Sequence, residues 1–167
     1  MNAKLGLIFS RRSVRKYTEK PVSDEEVRGL LEAAMAAPSA NNRQPWRFVL
    51  VRDKEKLRRL AAAHPYGKML AGAALAIAVC GDPAISDWWV ADCAAATENI
   101  LLAAAGLGLG GVWLGCHGRA EREEQIRREL DIPSTIGVLS LIALGHPAEH
   151  KEPRTQYDPA KVHTERW

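Results

Sequence analysis

Residues 88–107, WWVADCAAATENILLAAAGL, constrain this chain more than any other stretch. They read as one helix from Asp87 to about Leu107, the longest in the molecule, and no face of it is polar. A helix that is apolar on nearly every side is stable only where every side is covered. Its alanines permit close approach of another helix. In a chain of 167 residues the other elements are few, so part of this helix is expected to be buried against a second subunit. Asp92, Glu98 and Asn99 break the apolar run, which argues against a membrane span.

The other elements follow from periodicity and punctuation. Residues 4–10 read as a short first helix. Ser23 reads as an N-cap, and Glu26 three residues later completes a capping box. Val27, Leu30, Leu31, Ala34 and Met35 then give one apolar helical face, ended by Pro38. Phe48–Val51 reads as a strand, 54–63 as a charged helix with Leu57, Leu60 and Ala61 inward, 68–73 as a short helix, and Leu75–Cys80 as a buried strand. Beyond the long helix, Val112–Cys116 reads as a strand, 119–130 as a charged helix, and Ile136–Leu144 as a near-continuous apolar strand. Helices and strands mix without strict alternation, so the expected class is α+β, a sheet with helices around it, in one domain over 1–167. Residues 146–167 differ in kind: Pro147, Pro153 and Pro159, many charges and no apolar face make a tail that is disordered or lies on something.

Charge is local. The net charge of +3 is small, but residues 1–20 hold Lys4, Arg11, Arg12, Arg15, Lys16 and Lys20 against Glu19 alone. Within this arm, Ser10-Arg11-Arg12-Ser13-Val14-Arg15-Lys16-Tyr17 combines guanidinium forks with hydroxyls, which is what phosphate recognition needs. A solvated terminus and a nucleic-acid contact use the same residues. The modest and uneven charge favours a local anion site over a nucleic-acid face. A second unusual stretch is Pro38-Ser39-Ala40-Asn41-Asn42-Arg43-Gln44-Pro45-Trp46. Asn42 and Gln44 offer donors and acceptors suited to the edge of a heteroaromatic ring, and turn chemistry alone does not require Gln-Pro-Trp.

Other patterns are weaker. Gly106-Leu107-Gly108-Leu109-Gly110-Gly111 matches GxGxxG, but it closes a helix and opens a strand, the reverse of a dinucleotide fingerprint. It reads as a glycine C-cap and turn. Five scattered histidines and three widely spaced cysteines (Cys80, Cys93, Cys116) give no metal-ligand spacing. An odd cysteine count without a secretory leader points to reduced thiols in a cytoplasm. Cys116-His117 sit on a strand and are expected to point to opposite faces. Trp88-Trp89 reads as packing.

Taken together, four stretches resemble the nitroreductase family of FMN-dependent oxidoreductases: Arg11–Tyr17, Ala37–Trp46, Gly108–Gly115 and Leu144–Pro147 with the basic tail beyond it. They occur in the family's order over nearly the whole chain. The resemblance implies a central, mainly antiparallel sheet flanked by helices, an intertwined homodimer, and FMN with NAD(P)H as co-substrate. It assigns the FMN phosphate to Arg11 and Ser13, with Arg12 beside them and Arg154 returning from the tail. Arg15 becomes the cation near flavin N1 and the C2 carbonyl. Pro38, Ser39, Ala40, Asn42 and Gln44 form the loop that reaches the flavin from the partner subunit, and Leu114-Gly115 is the backbone whose amide approaches N5. Lys68 is a weaker candidate for the ring. Gln156 departs from the pattern where a second tail cation is expected. The segment Asp82–Trp88 is short where longer members carry a helical insertion, which implies an open pocket. No side chain has to act as a strong acid or base, because the flavin supplies the redox chemistry.

The implied activity is ping-pong transfer from NAD(P)H to a nitroaromatic, quinone-like or other small acceptor, with no nucleic-acid or membrane partner. Alternatives are a specialised member (a dehalogenase or a flavin-consuming enzyme) and a flavin storage or sensor module.

Overall fold

A computed structural model describes residues 2–167. Its centre is a four-stranded sheet of strands β1 (Trp46–Val51), β2 (Leu75–Gly81), β3 (Gly110–Gly115) and β4 (Gly137–Gly145), in the order β1-β2-β4-β3. Every neighbouring pair is antiparallel. All seven residues of β2 are buried, because the sheet is covered on both faces.

One layer holds helices α2 (Asp24–Met35) and α4 (Trp89–Gly106), packed on Leu75, Ile77, Val79, Ile142 and Leu144. The other holds α3 (Lys54–Ala63) and α5 (Ala120–Glu129), packed on Ala76, Ala78, Leu141 and Ala143. The first helix, α1 (Gly6–Ser10), follows a 3-10 turn and lies against α4.

Local chemistry accounts for the boundaries. Ser23 accepts from the Glu26 N–H at 3.1 Å and Glu26 accepts from the Ser23 N–H at 2.7 Å, the reciprocal box expected at the start of α2. Asp53 caps α3 through the Lys56 N–H at 2.7 Å. Gly108, at φ +71°, turns the chain out of α4 into β3, so the glycine run is the cap and turn expected of it.

Two expectations need correction. Met35 lies in the last turn of α2, past the edge of its buried stripe, and is exposed. Of the tryptophan pair only Trp89 packs. Trp88 is exposed as the residue that opens α4.

The Trp89 ring lies flat over Gly81 and Gly137, where an added Cβ would overlap it, and meets the His117 ring edge-on at 4.9 Å. Those glycines create the slot. Trp89→Ala is therefore expected to cost about 3–5 kcal/mol, since the rigid sheet below cannot collapse into the gap. Equilibrium urea unfolding followed by circular dichroism measures it. A loss below about 1 kcal/mol would show that the slot contributes little.

The tail lies on the body for its first half. The Ala148 N–H donates to the Lys16 carbonyl at 2.9 Å, the Lys151 ammonium to the Ser13 carbonyl at 2.6 Å, and the Arg154 N–H to the Phe9 carbonyl at 3.1 Å. Beyond Arg154 the backbone bonds stay within the tail, among the described residues.

Candidate functional site

The basic arm runs beside the outer edge of the sheet. Ser13 bridges Gly111 on β3, the Val14 N–H donates to the Gly111 carbonyl at 3.0 Å, and Tyr17 bridges Pro147. The Tyr17 hydroxyl donates toward the Val14 carbonyl at 2.7 Å, with the Ala143 carbonyl at 3.1 Å, so the arm is fixed to β4 as well.

Four cations gather here in different states. Arg11 pairs with Glu98 of α4 at 3.1 Å, with both side chains partly open. Arg12 donates to the Glu152 carbonyl of the tail. The Arg15 N–H is held by Glu149 at 2.6 Å, whereas its guanidinium meets no partner among the described residues. Arg154, brought back by its bond to Phe9, also has no guanidinium partner among the described residues. The Arg15 N–H holds the Glu149 carboxyl below the usual range, and Lys151 lowers it further. A depressed carboxyl contributes stability above its unfolded value and loses it as pH falls through the folded one, so this clamp is intact at neutral pH.

Strand β3 presents its backbone to the same edge. The Cys116 N–H donates to the Leu139 carbonyl at 2.9 Å, so Gly115, one residue earlier and opposite Ser140, is at a non-hydrogen-bonded position of the ladder. Its N–H and carbonyl therefore point away from β4. The carbonyl accepts from His64 Nε2 at 3.0 Å and Arg122 Nη1 at 2.6 Å. No described acceptor meets the N–H, and nothing lies within 4 Å of where a Cβ would stand. Leu114 is buried behind it, fixing the strand.

From the Ser13–Gly111 bridge to Gly115 is four residues, about 13 Å at ~3.3 Å per residue. A ribityl phosphate joined to a three-ring system is of that length. The donor set, cations at one end and a backbone N–H without a described acceptor at the other, fits FMN.

The loop 38–45 is strained and held from below. Asn41, Asn42 and Gln44 all have positive φ (51°, 55° and 49°), a costly arrangement for non-glycine residues. The Ser39 hydroxyl accepts from the Gln44 N–H at 3.0 Å, and Asp92 Oδ1 accepts from the Ala40 N–H at 2.9 Å. Gln44 Nε2 donates to Asn42 Oδ1 at 2.9 Å. The two amides thereby turn a remaining acceptor and a remaining donor outward together. Pro38 is exposed at the loop's start. Lys68 opens the 3-10 turn Lys68–Gly72 and is exposed, as is Gln156 in the tail.

The cysteines take no part. Each is buried, and burial pushes each thiol up to about 12, so all are protonated at neutral pH. Cys116 is buried while His117 is exposed and faces Glu123 at 3.2 Å; β3 ends at Gly115, so the pair lies in the turn after the strand and not, as expected, on it. No described helix is long and apolar enough to cross a membrane.

A model of the nitroreductase family matches residues 8–65 and 61–146. The chain belongs to the nitroreductase family.

Several relatives match the chain over nearly its whole length. An Archaeoglobus fulgidus protein, provisionally named NADH dehydrogenase/NAD(P)H nitroreductase, is 48% identical over 98% of each chain. A crystal structure of a protein from Bacteroides thetaiotaomicron, provisionally given the same name, superposes with TM-score 0.96 at 45% identity, covering 100% of this chain and 99% of that one. An FMN-dependent nitroreductase from Clostridium difficile superposes with TM-score 0.93 at 34% identity over 98% and 99%. The α+β fold with its antiparallel sheet is the nitroreductase fold.

Sequence reading missed Asp92 and Arg122. Asp92 is 5% exposed and takes both the Ala40 N–H and the Ser86 hydroxyl at 2.9 Å. A lone carboxylate in an otherwise apolar helix was the available signal, since a buried charge requires partners. Arg122 lies in a helix charged throughout, so nothing local marked it.

Proposed function

We propose that this chain is an FMN-dependent oxidoreductase that takes hydride from NADH or NADPH and passes electrons to a small aromatic or quinone-like acceptor. The observation that supports it best is the Gly115 N–H, which meets no acceptor among the described residues and lies on the sheet edge that carries the arginine arm. The names of the relatives, NAD(P)H nitroreductase and FMN-dependent nitroreductase, agree with it.

Bound FMN supplies the two-electron redox chemistry. Arg11, Ser13 and Arg154 hold its phosphate, with Arg12 ordering the tail beside them. Arg11 moves from Glu98, or is shared with it, to do so. Arg15 lends positive charge to the N1 and C2 side of the ring. Gly115 donates its N–H toward N5, and Leu114 keeps that amide in place.

The working unit is one FMN-binding domain, 1–167, paired with a second copy in the cytoplasm. Leu5, Leu7 and Ile8 around α1, Leu107 after α4, and Tyr157, Val162 and Trp167 in the tail are exposed in the single chain. A second copy covers them. Pro38, Ser39, Ala40, Asn42 and Gln44 then reach the partner's flavin, with the outward donor and acceptor of Asn42 and Gln44 at the ring edge.

Anaerobic mixing of the yellow protein with NADH or NADPH tests the enzyme reading. Bleaching within the dead time or over seconds, followed by recovery on adding a quinone, is expected. A flavin that stays oxidised under both donors would leave a storage or sensor module in its place.

A further inference from the structure

The α3–α5 layer holds a groove of about 580 Å³ that none of the assigned residues uses, lined by Ala62, Pro65, Gly118, Arg119, Arg122 and Gln125. Its volume is that of a small-molecule site, about 300–1,000 Å³. We propose that it seats the pyrophosphate of the nicotinamide dinucleotide, with Arg119 and Arg122 as the cations. This rests on the NAD(P)H reading above.

The acids around the groove are mostly engaged elsewhere. Glu123 takes the Gly118 N–H at 2.9 Å and faces His117. Glu124 is shared by Arg127 and Arg128 at 3.4 and 2.9 Å, and Glu129 pairs with Arg59 at 2.8 Å. Glu121 also lines the groove and offsets part of the charge. Neither Arg119 nor Arg122 has a carboxylate partner among the described residues, so the end of the groove nearest Gly115 is left positive.

Arg122 is built in. Its Nη1 donates to the Gly115 carbonyl at 2.6 Å, and its guanidinium lies 5.9 Å above the centre of the Tyr66 ring. Its Nε is buried with no partner. His64 fixes the same carbonyl: its Nδ1 accepts from the Tyr66 N–H at 3.2 Å, which makes Nε2 the donor to Gly115. The cation thus sits on the residue whose amide faces the hydride-accepting edge of the ring. In a nicotinamide dinucleotide the pyrophosphate follows the nicotinamide by one ribose.

Arg119 is the N-cap of α5, with non-helical backbone, and Arg122 is the third residue of the helix; both line the groove. Two guanidinium forks on one groove suit two linked phosphates better than a single carboxylate. Arg119 as N-cap makes no side-chain bond, so the open N–H groups of the first turn add to the positive end.

The test compares two donors on the FMN-loaded protein. NADH carries the pyrophosphate, and 1-benzyl-1,4-dihydronicotinamide lacks it. Arg119→Ala, at an exposed position, is expected to weaken NADH at least tenfold while the preference for NADH over the benzyl donor falls by the same factor. Calorimetric titration with unreactive tetrahydro-NADH should show the same loss, and its affinity should depend less on salt than that of the wild type. Arg122→Gln, which also loosens the Gly115 carbonyl, should lower the NADH-over-benzyl preference in the same way, on top of a loss common to both donors. Equal losses with both donors, or unchanged affinity for tetrahydro-NADH in both variants, would overturn the groove. If the wild type holds FMN yet neither NADH nor NADPH bleaches it, the NAD(P)H reading falls and this proposal with it.

Discussion

Replacing Arg15 by glutamine is expected to lower the flavin midpoint potential by on the order of 30–60 mV. The guanidinium is fixed at its base by the Glu149 bond to its own N–H and is otherwise unengaged, so it is available to a ligand. At the N1 side of the ring its charge favours the reduced, anionic form over the neutral oxidised one. Glutamine keeps a donor of similar reach and removes the charge. A hydrogen bond to a charged group contributes about 1.5–3 kcal/mol, and about 30 mV corresponds to ~1.4 kcal/mol for two electrons. The reduced form alone loses this, so the shift is negative. Arg11→Gln should weaken FMN retention and leave the potential of the remaining bound flavin nearly unchanged, because the phosphate is remote from the ring. Dye-equilibrated titration of both variants decides between them. An unchanged potential in Arg15→Gln, or a larger shift in Arg11→Gln, would reverse the assignment of ring and phosphate ends.

Truncation after Arg154 should have a larger structural effect. It keeps the last residue tied to the body by a backbone bond and removes Tyr157, Val162 and Trp167, which are 75%, 58% and 101% exposed in the single chain. Burying each against a partner contributes about 1.5–3 kcal/mol. Three of them amount to at least about three orders of magnitude in the dimer dissociation constant, at ~1.4 kcal/mol per tenfold. Sedimentation velocity at micromolar concentration should find the full chain dimeric and the truncated chain monomeric and depleted of flavin. A truncated chain that stays dimeric and yellow would place the interface elsewhere.

Much of the fold was legible because the sheet is buried on both faces. Leu75–Cys80 and Ile136–Leu144 are continuous apolar runs, and Ser23 with Glu26 states a helix start in four residues. Boundaries moved where glycine was involved. β3 starts at Gly110, two residues before the first apolar side chain, because backbone pairing with Gly145 needs no side chain. β1 starts at Trp46, whose ring reads equally well as loop or strand.

The site was legible where several unusual residues are adjacent, in the arm and in the loop 38–46. Long-range assembly was not. Asp92 holding Ala40 spans 52 positions, and Arg122 reaching Gly115 depends on where α5 folds back. The Arg11–Glu98 pair was equally hidden, since a salt bridge between α4 and the arm leaves no periodic trace.

The central claim is that the arm, the free Gly115 amide and the tail together bind FMN. The GxGxxG run, a pattern otherwise associated with an adenylate half, is occupied in turning α4 into β3. Acid release of the chromophore from the purified protein, followed by chromatography against flavin standards, tests this most directly. About one FMN per chain is the predicted result. Recovery of FAD, or no flavin retained after saturation with FMN, would contradict it.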